Sequence, residues 1–159
     1  MESNLVSHWQ NVYLTKDTTK VGWHQPRPQV SLDFIAKTKI STEDPIIDIG
    51  GGDGYLVDHL LEAGFQNLSM LDISEAALEK VKFRLAEKKD QVNFVVSNIL
   101  DFNPKTKFHL WHDRAVFHFL IKKEDQEKYR KLVEEAVVPQ GYLILATFSK
   151  SGPITDISE

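Results

Sequence analysis

From Pro45 onward the chain alternates short apolar runs with stretches of helical periodicity. That alternation is the pattern of parallel strands joined by crossover helices. Ile46–Ile49 runs straight into glycines, as a strand buried on both faces would. Leu56, Val57, Leu60 and Leu61 then recur at helical spacing, and Gly64 follows where a helix end favours left-handed backbone. A second strand is predicted over 68–73, and Ser74 is placed to cap a helix with Leu78, Val81 and Leu85 on one face. The β-branched run Val92–Val96 predicts a third strand. A fourth is predicted over 108–111, with a loop over 97–107 before it. The spacing next predicts a helix over 124–138, burying Tyr129, Leu132, Val133, Ala136 and Val137 and closed by Pro139. A fifth strand over 142–148 and an irregular tail over 149–159 complete the pattern.

Upstream, Pro26-Arg27-Pro28 breaks the chain, and 30–37 reads as a helix lying on the sheet. Trp9, Tyr13 and Trp23 make the N-terminal arm unusually aromatic, either to anchor it to the body or to cover a bound ligand. The reading is one domain over 1–159: arm and helix over 1–44, α/β core over 45–148, tail over 149–159. The fold class is α/β, a three-layer Rossmann-like sandwich with a mostly parallel sheet.

Composition changes this picture little. At 159 residues with 42% apolar and 26% charged content, the chain suits a single soluble domain without disulfide or metal staples. A net charge of −4 argues against a surface that tracks phosphates, and the basic runs over 80–89 and 122–131 are interleaved with acids. No nucleic-acid partner is expected. There is no cysteine, which removes disulfides, thiolate zinc sites and cysteine nucleophiles. The six histidines show no metal-ligand spacing, so no metal is expected. No run approaches ~18 apolar residues and the N-terminus lacks a leader-like apolar segment, which predicts a cytoplasmic protein off the membrane.

The candidate chemistry lies at strand ends. Asp48, Gly50, Gly51, Gly52 and Gly54 follow a strand and open a helix, the context in which glycines let a ligand approach backbone. A dinucleotide fingerprint would carry a small residue at position 55, and Tyr55 stands there. Asp72 ends the second strand about 20 residues on, where a carboxylate accepts both hydroxyls of a ribose. Asn98 follows the third strand, and Ile73 and Ile99 are placed to sandwich a flat ring. Beyond the fourth strand, Asp113 and Arg114 should face the cleft, and His112 and His118 are candidate general bases.

The spacing Asp48-x-Gly50-x-Gly52-x-Gly54 resembles the first motif of class I S-adenosylmethionine-dependent methyltransferases. The resemblance implies S-adenosylmethionine as cofactor, with Asp48 organising its ammonium end, Asp72 holding the ribose and Asn98 reading the adenine. The Trp9-x-x-x-Tyr13 arm, the Val21-Gly22-Trp23-His24-Gln25 segment and the block from Trp111 to Leu120 resemble a set of small methyltransferases related to the thiopurine and citrate-synthase-lysine types. That likeness implies Trp9, Tyr13, Trp23 and Gln25 as a cover over the methionine end. It implies methyl transfer to a nitrogen, sulfur or oxygen on a small molecule or protein side chain, with Asp113 on the acceptor side. Class I folds also add a sixth and a seventh strand, for which this sequence leaves no room. The expectation is therefore either a truncated chain, with a binding module without turnover as the alternative to methyl transfer, or a sheet completed by another chain, the fifth-strand edge offering a route to a homo-oligomer. A fragment of an NAD-dependent oxidoreductase is the remaining alternative.

Overall fold

The computed structural model describes residues 2–114 and 116–147. Strands β1 (Ile46–Ile49), β2 (Leu68–Asp72), β3 (Val92–Val96), β4 (Phe108–Arg114) and β5 (Val137–Ala146) form one sheet. Its order is β3-β2-β1-β4-β5, and every neighbouring pair is parallel. Five α-helices accompany it among the described residues: α1 (Glu2–Thr15), α2 (Gln29–Thr38), α3 (Leu56–Glu62), α4 (Glu75–Leu85) and α5 (Lys123–Ala136).

Alternation along each strand divides the core into two layers. Ile46, Met70 and Leu110 pack with Ile35 of α2, Leu60 of α3 and Leu78 and Val81 of α4. Ile47, Leu71 and Trp111 pack on the opposite side with Tyr129, Val133 and Ala136 of α5. Burial of each large side chain stabilises the fold by roughly 1.5–3 kcal/mol. This is the three-layer α/β sandwich that the alternation predicts, and the strand order reverses between β1 and β4.

Local chemistry fixes the helix ends. Ser74 caps α4 by accepting the Ala77 N–H at 3.2 Å. Gly64 takes φ +90°, past the end of α3. The aromatic arm is itself a helix: on α1, Gln10 Oε1 accepts the Ser74 hydroxyl at 3.0 Å and the Ala76 N–H at 3.1 Å, tying the arm to the start of α4.

Two boundaries differ from expectation. β4 continues past Trp111 to Arg114 because its polar residues find buried partners. The last helix stops at Ala136, and Pro139 lies inside β5 instead of closing the helix. Gln140 turns to φ +66° and the β4–β5 register shifts there, so the proline sits in an irregular stretch of an edge strand, where a missing N–H is tolerated. Phe148 and the tail over 149–159 lie outside the described residues. No helix among the described residues is long and apolar enough to cross a membrane.

Candidate functional site

The carboxyl ends of the strands open on a cavity of about 900 Å³, at the strand-order reversal where ligands of open α/β sheets bind. Gly50 and Gly51 after β1, Asp72 and Ile73 at the end of β2, Asn98 and Ile99 after β3, and Arg114 of β4 line it. Trp9 and Tyr13 of α1, with Trp23 and Gln25 of the following segment, line its other wall.

The turn after β1 is built so that side chains are excluded. Gly50 holds φ +62°, and a Cβ there would run into the Val116 side chain. Gly51 would meet the methyl end of Met70. Gly52, at φ +59°, lies under the Tyr13 hydroxyl and does not line the cavity; its N–H donates to Asp72 Oδ2 at 2.8 Å. Asp72 Oδ1 accepts the Ser74 N–H at 2.8 Å. Each oxygen therefore keeps a free lone pair. Burial is the main influence on this carboxyl and lifts its pKa to about 6, against the two amides that lower it.

Asn98 accepts the Leu100 N–H at 3.0 Å through Oδ1, which fixes the one-turn helix Ile99–Asp101 and turns this strand end toward the cavity. Arg114 donates to the Trp23 carbonyl at 3.3 Å, joining β4 to the arm segment. His118 lines the cavity beyond β4, and burial lowers its imidazole pKa, so the ring is neutral near pH 7.

Three sequence candidates go elsewhere. Asp48 and His112 are buried below the turn: His112 Nδ1 lies 2.7 Å from Asp48 Oδ1, and its Nε2 lies 2.9 Å from the Ser31 hydroxyl of α2. This chain ties β1, β4 and α2 together, and neither residue lines the cavity. Asp113 was expected to face the cleft, but strand alternation turns it to the α5 side, where it is fully buried. It accepts the Tyr129 hydroxyl at 2.6 Å and the Val116 N–H at 2.8 Å, while Tyr129 accepts the Trp111 indole N–H at 3.0 Å. Burial raises the Asp113 carboxyl above the usual range, opposed by these hydrogen bonds.

One contributor escaped the sequence reading. Arg84 of α4 grips Asp58 through two bonds of 2.8 Å and donates to the carbonyls of Asp53 at 2.9 Å and Gly54 at 2.6 Å. Its guanidinium also stacks 4.0 Å from the Tyr55 ring centre. The far side of the glycine turn is thereby clamped to α4. The only advance signal was an arginine at the end of a helix that follows the turn. Among the described residues no cluster of acids and histidines could hold a metal ion.

A family described as a methyltransferase domain matches residues 47–143, from β1 into β5. The chain belongs to this methyltransferase domain family. EEF1A lysine methyltransferase 2 of Danio rerio is 32% identical over 123 residues, 72% of this chain and 52% of that protein. Malonyl-[acyl-carrier protein] O-methyltransferase 2 of Ilyobacter polytropus is 27% identical over 106 residues, 66% of this chain and 39% of that protein. Among solved structures, the DhpI-SAM-HEP complex has the same fold, with a TM-score of 0.67, 16% identity, and coverage of 94% of this chain and 67% of that one. The chain spans about half the length of curated relatives it matches. The finer likeness to thiopurine and citrate-synthase-lysine types has no counterpart among these relatives, and the family gives the oxidoreductase alternative no support.

Proposed function

We propose that the chain binds S-adenosylmethionine in this cavity and transfers its methyl group to an amine, first of all a lysine side chain of a protein. One observation carries the cofactor half: a buried carboxylate, Asp72, with a free lone pair on each oxygen, stands beside a turn that no side chain could share. Two vicinal hydroxyls of a ribose match those lone pairs. Ile73, Asn98 and Ile99 continue the wall where an adenine ring would lie, and Arg114 offers a cation to the cofactor's carboxylate. The volume of about 900 Å³ lies within the roughly 300–1,000 Å³ of small-molecule sites, so the group fits with room for an acceptor.

The sulfonium, when bound, supplies a methyl carbon already activated toward nucleophiles. The chain's task is to align an acceptor lone pair and exclude water. A lysine ammonium must first lose a proton, and His118 at the cavity wall is the base within this reading, on rotation of its side chain to expose the ring nitrogens that are buried here. The lysine choice rests on relatives such as EEF1A lysine methyltransferase 2. A module that binds cofactor without turnover is the second reading, favoured by the burial of the acceptor-side candidates Asp113 and His112 outside the cavity wall. Incubation with methyl-labelled S-adenosylmethionine and lysine-bearing proteins, read by mass spectrometry, separates the two. Methylated lysine supports transfer, and cofactor binding without product supports the module.

A further inference from the structure

A second cavity, of about 390 Å³, adjoins the one described above. Phe117, His118, Leu120, Ile121, Gln126 and Thr147 line it. His118, Leu120, Ile121 and Thr147 are walls common to both cavities, so the candidate base stands where the two meet. Local bonds set the shape. The Leu120 N–H donates to the Phe117 carbonyl at 3.0 Å, and Gln126 Nε2 donates to the Leu120 carbonyl at 2.7 Å, pinning the segment after β4 to the first turn of α5. Ile121 is 85% exposed although large and apolar.

This cavity lies apart from the cofactor wall. None of its residues belongs to β1, β2, β3 or the turns that follow them. On α5, Gln126 and Lys128 point nearly opposite ways, about 200° of helical rotation apart. Lys128 stands 3.9 Å from Asp101, past the end of β3, so Gln126 turns the other way, toward Thr147 just past the end of β5. β5 is three strands from β2, about 14 Å at ordinary strand spacing. With its ribose at Asp72 and its carboxylate at Arg114, a cofactor would span β2 to β4 and stop one strand short of β5.

We propose that the second cavity receives an apolar side chain next to the lysine of an acceptor polypeptide, so that the flanking residue selects the substrate. The inference rests on the reading of the main cavity as the site of methyl transfer. Phe117, Leu120 and Ile121 supply apolar contact, and docking takes the exposed Ile121 side chain out of water. Gln126 uses its Nε2 on the Leu120 carbonyl, and its Oε1 makes no bond among the described residues, which leaves an acceptor for a backbone N–H. No lysine, arginine, aspartate or glutamate lines this cavity. A charged neighbour of the lysine, or the carboxylate of a small amine, would therefore be desolvated there without a partner.

The test uses the full chain saturated with S-adenosylhomocysteine and three end-blocked peptides: Gly-Leu-Lys-Leu-Gly, Gly-Ser-Lys-Ser-Gly and Gly-Asp-Lys-Asp-Gly. Binding is followed by the methyl signals of Leu120 in NMR. The leucine peptide should bind about tenfold more tightly than the serine peptide, and the aspartate peptide most weakly. Ile121→Ser should shrink the leucine-to-serine ratio to about threefold or less, and Ile121→Leu should keep it. Affinity for S-adenosylhomocysteine should be the same in both variants. Equal binding of the leucine and serine peptides, tightest binding of the aspartate peptide, or no binding of any peptide overturns the inference while leaving the cofactor reading intact. A tenfold ratio that survives Ile121→Ser also overturns it, as does loss of S-adenosylhomocysteine affinity in that variant, which would place Ile121 on the cofactor wall. Failure of the unmodified chain to bind S-adenosylhomocysteine removes the cofactor reading itself.

Discussion

Replacing Tyr129 by phenylalanine tests whether Asp113 is a structural anchor or an acceptor-side residue. The hydroxyl donates to Asp113 Oδ2 at 2.6 Å and accepts the Trp111 indole N–H at 3.0 Å, all three residues being buried. Loss of a hydrogen bond to a charged group costs about 1.5–3 kcal/mol, and the orphaned indole N–H adds to it, so Tyr129→Phe should cost about 3 kcal/mol at neutral pH. For a chain of this size that is a fall in Tm of about 6–12 °C. The pH dependence follows from the carboxyl, whose pKa burial already raises and the Tyr129 bond lowers. Without that bond the folded-state pKa rises further above its unfolded value. The folded state then binds a proton more readily, so the cost is full above the folded pKa and shrinks as acid protonates Asp113. Urea unfolding of both chains at about pH 8 and pH 5 should show a gap that narrows on acidification. Affinity for S-adenosylhomocysteine should stay within about threefold, because Asp113 and Tyr129 are outside the cavity wall. Unchanged stability with lost cofactor binding would refute the structural assignment, as would a gap that widens in acid.

Other perturbations probe the turn and the proposed base. Gly50→Ala places a Cβ in left-handed backbone and into Val116, so S-adenosylhomocysteine binding should weaken at least about tenfold by calorimetry, at a backbone cost of about 1–2 kcal/mol. Arg84→Ala frees the Asp53 and Gly54 carbonyls and Asp58, and should weaken cofactor binding about tenfold; Arg84→Lys should not rescue it, since an ammonium cannot span the same bonds. His118→Ala should lower kcat about 100-fold with cofactor affinity unchanged, and the pH–rate profile should lose its acidic limb.

The path from sequence to site was readable where chemistry is local. β1 and β3 match their predicted bounds, and Gly50, Asp72 and Asn98 fall at strand ends because strand, glycine turn and acid recur at fixed spacing. What failed depends on contacts distant in sequence. His112 meets Asp48 and Ser31 across 64 and 81 positions, and nothing local distinguishes such a buried tie from a general base in a cleft. Polar residues at 112–114 looked like a strand end, but two of them pair off on opposite faces of the sheet and prolong β4. Pro139 looked like a helix stop because its place at an irregular sheet edge is a property of the assembled fold. Arg84 was unmarked for the same reason: its partners are 26–31 residues away, at the other end of a strand crossover.

The central claim is that Asp72 holds a nucleoside sugar at this turn, and calorimetric titration with S-adenosylhomocysteine as a function of pH tests it most directly. Hydroxyl donors favour the ionised carboxylate, so binding lowers a pKa that stands at about 6 in the free chain. Affinity should be flat above about pH 7 and fall progressively below about pH 6, by up to about tenfold per unit. Asp72→Asn should abolish that slope and weaken binding at pH 7.5 by about 10–100-fold. Affinity that ignores both pH and the substitution, or no binding at millimolar ligand, would contradict the account.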